Sequence, residues 1–350
     1  MKAFLSISCC LLLALSACKK QNDYLPPDFN YDIPAVNITE NVNVGAYYYN
    51  YAAADWAKKY TNNPLQGEYN SLDSKVMAQE CQWADAAGVN FFVFNWNGAS
   101  AGNPILNSFI QGNTSQVKMV INYNIAHLSA TNALPLTGTK LTTMINEFTS
   151  FANTHFNKDY YYKINGQPVV LITPLNLASS ATTSVNYATV IPALKQAMSS
   201  IGINLYIIGE ITSGWLPPVR YAPAIKAMDG VDLNNWSTDV YDRATFMASY
   251  TDTNWKNWTD STSKWKVDFV PAIFPAFNDK TMTPASKLYN IDRNAAFYTD
   301  YCNVAKRNMS SKRIVLINSW NNFQLGTTLE PAKEYGTTYL EITKAQFKVK

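Results

Sequence analysis

The chain has 350 residues, 47% hydrophobic and only 15% charged, and 28 Lys and Arg against 25 Asp and Glu leave a formal charge of +3. That balance excludes a disordered chain and supplies apolar material for one large core. No basic block of five or six residues occurs, so a nucleic-acid footprint is excluded as well. Aromatic residues make up 13%, with 22 Tyr and 9 Trp. Together with abundant Asn they suit a surface that stacks on flat apolar faces and hydrogen-bonds hydroxyls. A large core with polar loops accounts for the same composition.

Met1-Lys2 precedes an apolar run from Ala3 to Leu15, the length of a signal-peptide core and too short to span a bilayer. Leu15-Ser16-Ala17-Cys18 resembles the lipobox of bacterial lipoproteins. That resemblance implies cleavage before Cys18 and acylation of its thiol and new amine. Residues 1–17 are then a signal peptide, and 18–42, with Pro26, Pro27 and Pro34, read as an extended tether. Residues 43–350 read as one domain. Cys9 and Cys10 fall in the removed segment. Cys81 and Cys302 lie within predicted helices and are expected to be buried free thiols.

Predicted strands in chain order are Asn43–Tyr49, Asn90–Asn95, Lys118–Asn122, Val169–Ile172, Leu205–Gly209, Val231–Asn234, Val267–Ile273 and Ile314–Asn318. Helical spacing falls between them. It is clearest in Ser74–Ala87, where Val76, Met77, Cys81, Trp83 and Ala84 share a side and Gly88 ends the helix. Leu141–Asn153, Val190–Ile201 and Asn294–Arg307 read similarly. Continuous apolar strands alternating with helices indicate a parallel sheet buried on both faces. Eight of them predict an α/β fold of the (β/α)8 TIM-barrel type, with function at the C-terminal strand ends. An open doubly wound sheet is the alternative, but no Gly-x-Gly-x-x-Gly or P-loop pattern follows any strand.

The predicted strand ends are rich in aromatic and amide residues. They carry Tyr47, Tyr48 and Tyr49, then Asn95 and Trp96, then Asn122. Glu210 follows the fifth strand, Trp236 the sixth, and Trp320, Asn321 and Asn322 the eighth. Rings stack on the C–H faces of sugars and amides bridge vicinal hydroxyls, so an oligo- or polysaccharide is the expected partner. Taken singly, each of these residues is equally well explained as a turn, a cap or core.

Three stretches carry a wider resemblance: Val44 to Tyr49, Pro64 to Tyr69, and Gln82 to Trp96. Tyr160 to Val170 and, most specifically, Ser319-Trp320-Asn321-Asn322-Phe323-Gln324-Leu325-Gly326-Thr327-Thr328-Leu329-Glu330-Pro331 extend it. The chain resembles glycoside hydrolase family 99 and its relatives, which include WbsX-type polysaccharide domains. The resemblance implies a TIM barrel and an α-mannan-like glycan. It places the family's two catalytic glutamates on Asn322 and Leu325. An amide neither takes nor supplies a proton at neutral pH, and Leu does neither. Each acid or base role carries roughly 10²–10⁴ in rate, so that mechanism does not transfer.

Glu210 and Glu330 are the candidate replacement carboxylates, with Asp279 and Glu68 behind them. Only His127 and His155 are available for a Ser-His-Asp arrangement, and no Gly-x-Ser-x-Gly elbow is present. Neither a metal site nor a cofactor is expected. Two readings stay open: a surface glycosidase with relocated carboxylates, or a catalytically inactive glycan-binding protein on the same barrel. Either would sit in the cell envelope, held to a membrane through its lipid anchor alone, with neighbouring glycan-uptake proteins as expected partners.

Overall fold

The computed structural model describes residues 28–101, 103–175, 184–211, 214–233 and 246–349. Eight parallel strands form its centre: β1 (Asn43–Tyr48), β2 (Phe91–Trp96), β3 (Lys118–Asn124), β4 (Gln167–Leu175), β5 (Tyr206–Ile211), β6 (Gly230–Leu233), β7 and β8 (Ile314–Ile317). Strand β7 runs as Asp268–Val270 and Ala272–Ile273 on either side of Pro271. Proline has no N–H to give to a ladder, which interrupts the pairing but not the strand. Its first piece pairs with β6 and its second with β8, and the Pro271 carbonyl accepts from Leu316 N at 2.8 Å. Since β8 also pairs with β1, the ring closes. The expected barrel is present.

A helix follows each strand: α1 (Ser74–Ala86), α2 (Pro104–Gly112), α3 (Gly138–Phe151), α4 (Tyr187–Ser199), α5 (Ala222–Ala227), α6 (Met247–Lys264), α7 (Ala295–Asn308) and α8 (Thr338–Phe347). In α1, Asp73 caps the N-terminus by accepting from Lys75 N at 2.8 Å. Gly88, at φ +74°, lets the chain turn back after it. Its buried face is Met77, Glu80, Cys81 and Ala84; the expected Val76 and Trp83 are half-buried, and Glu80 takes a place that apolar spacing does not reveal. Cys81 and Cys302 are free and buried, as their helical positions predict.

Part of the stretch expected to be a tether lies on the barrel. The Tyr31 hydroxyl donates to the Ser249 carbonyl at 2.9 Å on α6. On α7, Asn303 Oδ1 accepts from Val36 N at 3.0 Å and Lys306 Nζ donates to the Val36 carbonyl at 2.7 Å. Val42 is buried in the core. Those bonds seat residues 29–42 against the helical layer instead of leaving them as a spacer. Among the described residues no helix is long and apolar enough to cross a membrane.

Candidate functional site

Side chains alternate across a strand, so every second residue of each strand points into the barrel. The interior is filled by Phe91, Val93, Val120, Val169, Leu171, Tyr206, Ile208, Val270, Ile314 and Leu316, with Tyr47 above them. Gly45 occupies the inward position below Tyr47 on β1. A Cβ there would lie 2.1 Å from the Phe91 ring, so the glycine makes room for that ring in the packed centre. Above the apolar layers the same alternation presents Tyr49, Asn95, Asn122, Thr173, Glu210 and Asp232 at the C-terminal end.

The centre of this mouth is a pair of carboxyl groups sharing one phenol. Glu210 and Asp232 stand opposite each other in the β5–β6 register. The Tyr47 hydroxyl lies 3.1 Å from Glu210 Oε2 and 3.1 Å from Asp232 Oδ2. Thr173 donates to Glu210 Oε1 at 3.1 Å. Asp232 is 1% exposed, and its Oδ1 is buried with no hydrogen-bond partner. Burial, and then the neighbouring Glu210 charge, push its pKa well above the usual aspartate range. Glu210 is only half-buried, which puts the solvated member of the pair at the opening.

Amides continue the mouth on one side. Asn122 Nδ2 donates to Asn95 Oδ1 at 2.9 Å; Asn95 is exposed, while Asn122 is buried beneath it with its own Oδ1 unpartnered. On the other side Tyr49, whose hydroxyl lies 3.5 Å from Asn318 Oδ1, is held by its backbone to Asn321. Asn322 Oδ1 accepts from Leu325 N at 3.1 Å, so the three-residue spacing of the motif closes a small turn here. Leu325 packs part-buried against the core.

Other expected rim residues point the opposite way. Tyr48 is buried on the helical side of β1, where its hydroxyl donates to Glu80 of α1. Trp320 is fully buried against Phe92, with ring centroids 5.1 Å apart, and offers no face to a ligand. Trp96, also on the outward side of its strand, is half-buried edge-on against Phe151 at 4.8 Å. Asn321 is enclosed, bonding the Tyr49 backbone and the Tyr69 hydroxyl.

Glu330 likewise corrects the expectation of a second carboxylate at the mouth. It is fully buried, accepts from Tyr69 at 2.7 Å and Gln66 at 3.2 Å, and is paired with Glu80. Burial raises Glu80 to about 7 and Glu330 well above the usual glutamate range, as expected for two carboxyls sharing a proton. Asp279 is mostly buried, and Glu68 is tied to the Tyr60 hydroxyl at 2.9 Å. Trp236 and Cys18 lie outside the described residues.

Sequence reasoning missed Asp232 and Glu80. The available signal for Asp232 was an acid inside an otherwise apolar strand, in step with the inward positions of β6. Nothing local marks Glu80. Among the described residues no group of three His, Cys, Asp or Glu could hold a metal ion. What the mouth offers is a carboxyl at the opening, a buried one beneath it whose surroundings favour the neutral form, and amide and phenol groups around them. Such a set can orient hydroxyl groups and exchange a proton with one of them.

Fold and mouth together define a TIM-barrel protein of the glycoside-hydrolase type. The family described as Glycosyltransferase WbsX matches residues 58–343, and the chain belongs to that family. It is similar to a solved structure described as a glycoside hydrolase-like protein, 26% identical, with a TM-score of 0.80 over 92% of this chain and 98% of that one. The family 99 endo-α-mannosidase of Bacteroides thetaiotaomicron, solved with bis-tris-propane, is 19% identical with a TM-score of 0.67, covering 88% of this chain and 97% of that one. A second structure of the Bacteroides thetaiotaomicron enzyme gives 17% and 0.65. These last two establish a shared barrel. No curated protein sequence matches the chain.

Proposed function

We propose that this protein is carbohydrate-active and takes an α-mannan-like glycan into the barrel mouth. The observation that carries the proposal is the convergence of Glu210, Tyr47, Tyr49, Asn95 and Asn122 on that mouth, on a barrel of the glycoside-hydrolase type. Carboxylate and amide oxygens accept from sugar hydroxyls, amide N–H groups donate to them, and the Tyr49 ring supplies a flat apolar face. Binding without turnover is the function this geometry supports best. Glu210 and Asp232 lie on the neighbouring strands β5 and β6, and Asp232 is buried, so one carboxyl of the pair faces the opening where a hydrolase needs two about a glycosidic bond. Asn322 and Leu325 add no carboxylate opposite them.

A second reading, hydrolysis, is favoured by one feature: the half-buried Glu210 stands beside Asp232, a buried acid whose environment favours its protonated form. A panel of α-linked manno-oligosaccharides, with wild type and Glu210→Gln assayed for both binding and product release, separates the two. Binding without product supports the first reading; product that vanishes in Glu210→Gln establishes the second. No binding of any glycan overturns both. Lipid attachment at Cys18 belongs to the same proposal, and Cys18→Ala should move the protein from the membrane fraction to the soluble one.

A further inference from the structure

The Tyr47 hydroxyl meets two carboxyl groups with a single hydrogen. A phenol has one hydrogen, yet its oxygen lies 3.1 Å from a carboxyl oxygen of Glu210 and 3.1 Å from one of Asp232. With both carboxyls ionised, the single hydrogen would be split between two anions, and one lone-pair contact would be repulsive. With one carboxyl protonated, both contacts are good: the acid donates to the phenol oxygen and the phenol donates to the remaining carboxylate. The proton belongs on the group that water cannot reach. Asp232 is 1% exposed, whereas Glu210 is half-buried.

The rest of the surroundings agree. Glu210 is the charge that acts on Asp232, and it acts to retain the proton; among the described residues no cation offsets it. On β7 the register partner of Asp232 is the apolar Val270. The nearby Asp268 is already engaged by the Tyr206 hydroxyl at 2.5 Å. At Glu210 the Thr173 hydroxyl donates to the other oxygen, Oε1.

We propose that Asp232 is a positioning residue that donates its own proton to Tyr47 and so turns the Tyr47 hydroxyl onto Glu210, fixing Glu210 as an acceptor that faces the mouth. The inference rests on the reading of the mouth as a glycan site only for its consequence, not for the proton arrangement itself. Asp232 touches no ligand; its effect passes through Tyr47. Loss of the Asp232 proton at higher pH leaves Tyr47 between two anions and loosens its hold on Glu210.

Two measurements on the full chain test this. The first is a carbon-13 NMR titration of the side-chain carboxyls, which needs no ligand. Asp232 should titrate far above the ordinary aspartate value of about 3.9, and in Tyr47→Phe its titration should move. An Asp232 carboxyl that titrates in the ordinary range overturns the proposal. The second is the affinity for an α-linked manno-oligosaccharide from mildly acid to alkaline pH. Asp232→Leu, which leaves Tyr47 without its donor, should weaken binding about ten-fold or more. Asp232→Asn, whose amide still donates to Tyr47, should bind several-fold more tightly than Asp232→Leu and lose the alkaline fall expected of the wild type. Equal affinity in the two variants, or an alkaline fall that survives in Asp232→Asn, overturns the positioning role. Should no glycan bind the wild type, the functional reading fails while the titration still decides the proton arrangement. Should Asp232→Leu not fold, the titration and the Asn variant carry the test.

Discussion

Two carboxyl pairs sit on opposite sides of the same strand, and they differ in what surrounds them. Inside the barrel, Tyr47 bridges Glu210 and Asp232; outside it, Tyr48 reaches Glu80, which is paired with Glu330. Adjacent tyrosines serve opposite faces because strand side chains alternate. In both pairs burial favours the neutral form and the neighbouring carboxyl adds to it. The outer pair is closed over by Gln66 and Tyr69 and both of its members are fully buried. The inner pair keeps one member at the opening. A raised carboxyl is therefore not by itself a sign of chemistry; access to one member of the pair makes the difference.

That distinction can be broken by substitution. The largest effect belongs to the outer region. Trp320→Ala, emptying a fully buried site against Phe92, should cost ~3–5 kcal/mol in chemical denaturation. A cost near zero would return Trp320 to the rim. Next comes Glu330→Ala, which strands the Tyr69 hydroxyl and the Gln66 amide and should cost ~1–3 kcal/mol, with Glu330→Gln milder.

The pH dependence of stability sharpens the same comparison. Glu80 is raised from 4.5 to about 7 in the folded protein, so its contribution is complete below 4.5 and is lost as pH rises through about 7. Melting temperature should accordingly fall by several degrees across that interval, and Glu80→Gln should flatten the fall. A wild-type profile that instead rises over the interval would contradict the shared proton. The smallest stability effect is expected at the inner pair: Glu210→Gln should change folding by ~1 kcal/mol or less while weakening glycan affinity. Destabilisation as large as that of Glu330→Ala would make the two pairs alike and the inner one structural.

Part of the site was legible in the sequence. The place of Glu210 at the mouth follows from the apolar strand before it, whose end must lie at the barrel's C-terminal face. Tyr47, Tyr49, Asn95 and Asn122 reach the mouth on the same ground. The reading failed where it treated consecutive residues as one surface. Tyr48 and Trp96 follow inward neighbours and therefore point outward, and Trp320 turns into the helical layer. Glu330 was taken with its motif to the mouth, but its partners Gln66, Tyr69 and Glu80 come from the loop after β1 and from α1, far off in sequence.

By itself the sequence determined the alternation of eight strands with helices, and through it the barrel, the end that carries the polar groups and the two buried thiols. Those follow from local periodicities, which short windows of residues express without reference to the rest of the chain. Only the tertiary structure decided how β7 closes the ring across Pro271, which face each tyrosine serves, and which carboxyls meet. The physical reason is that a carboxyl's state depends on what lies within a few ångströms in space. Asp232 and Glu80 acquire their partners only when β1 comes to lie between the barrel interior and its helical coat.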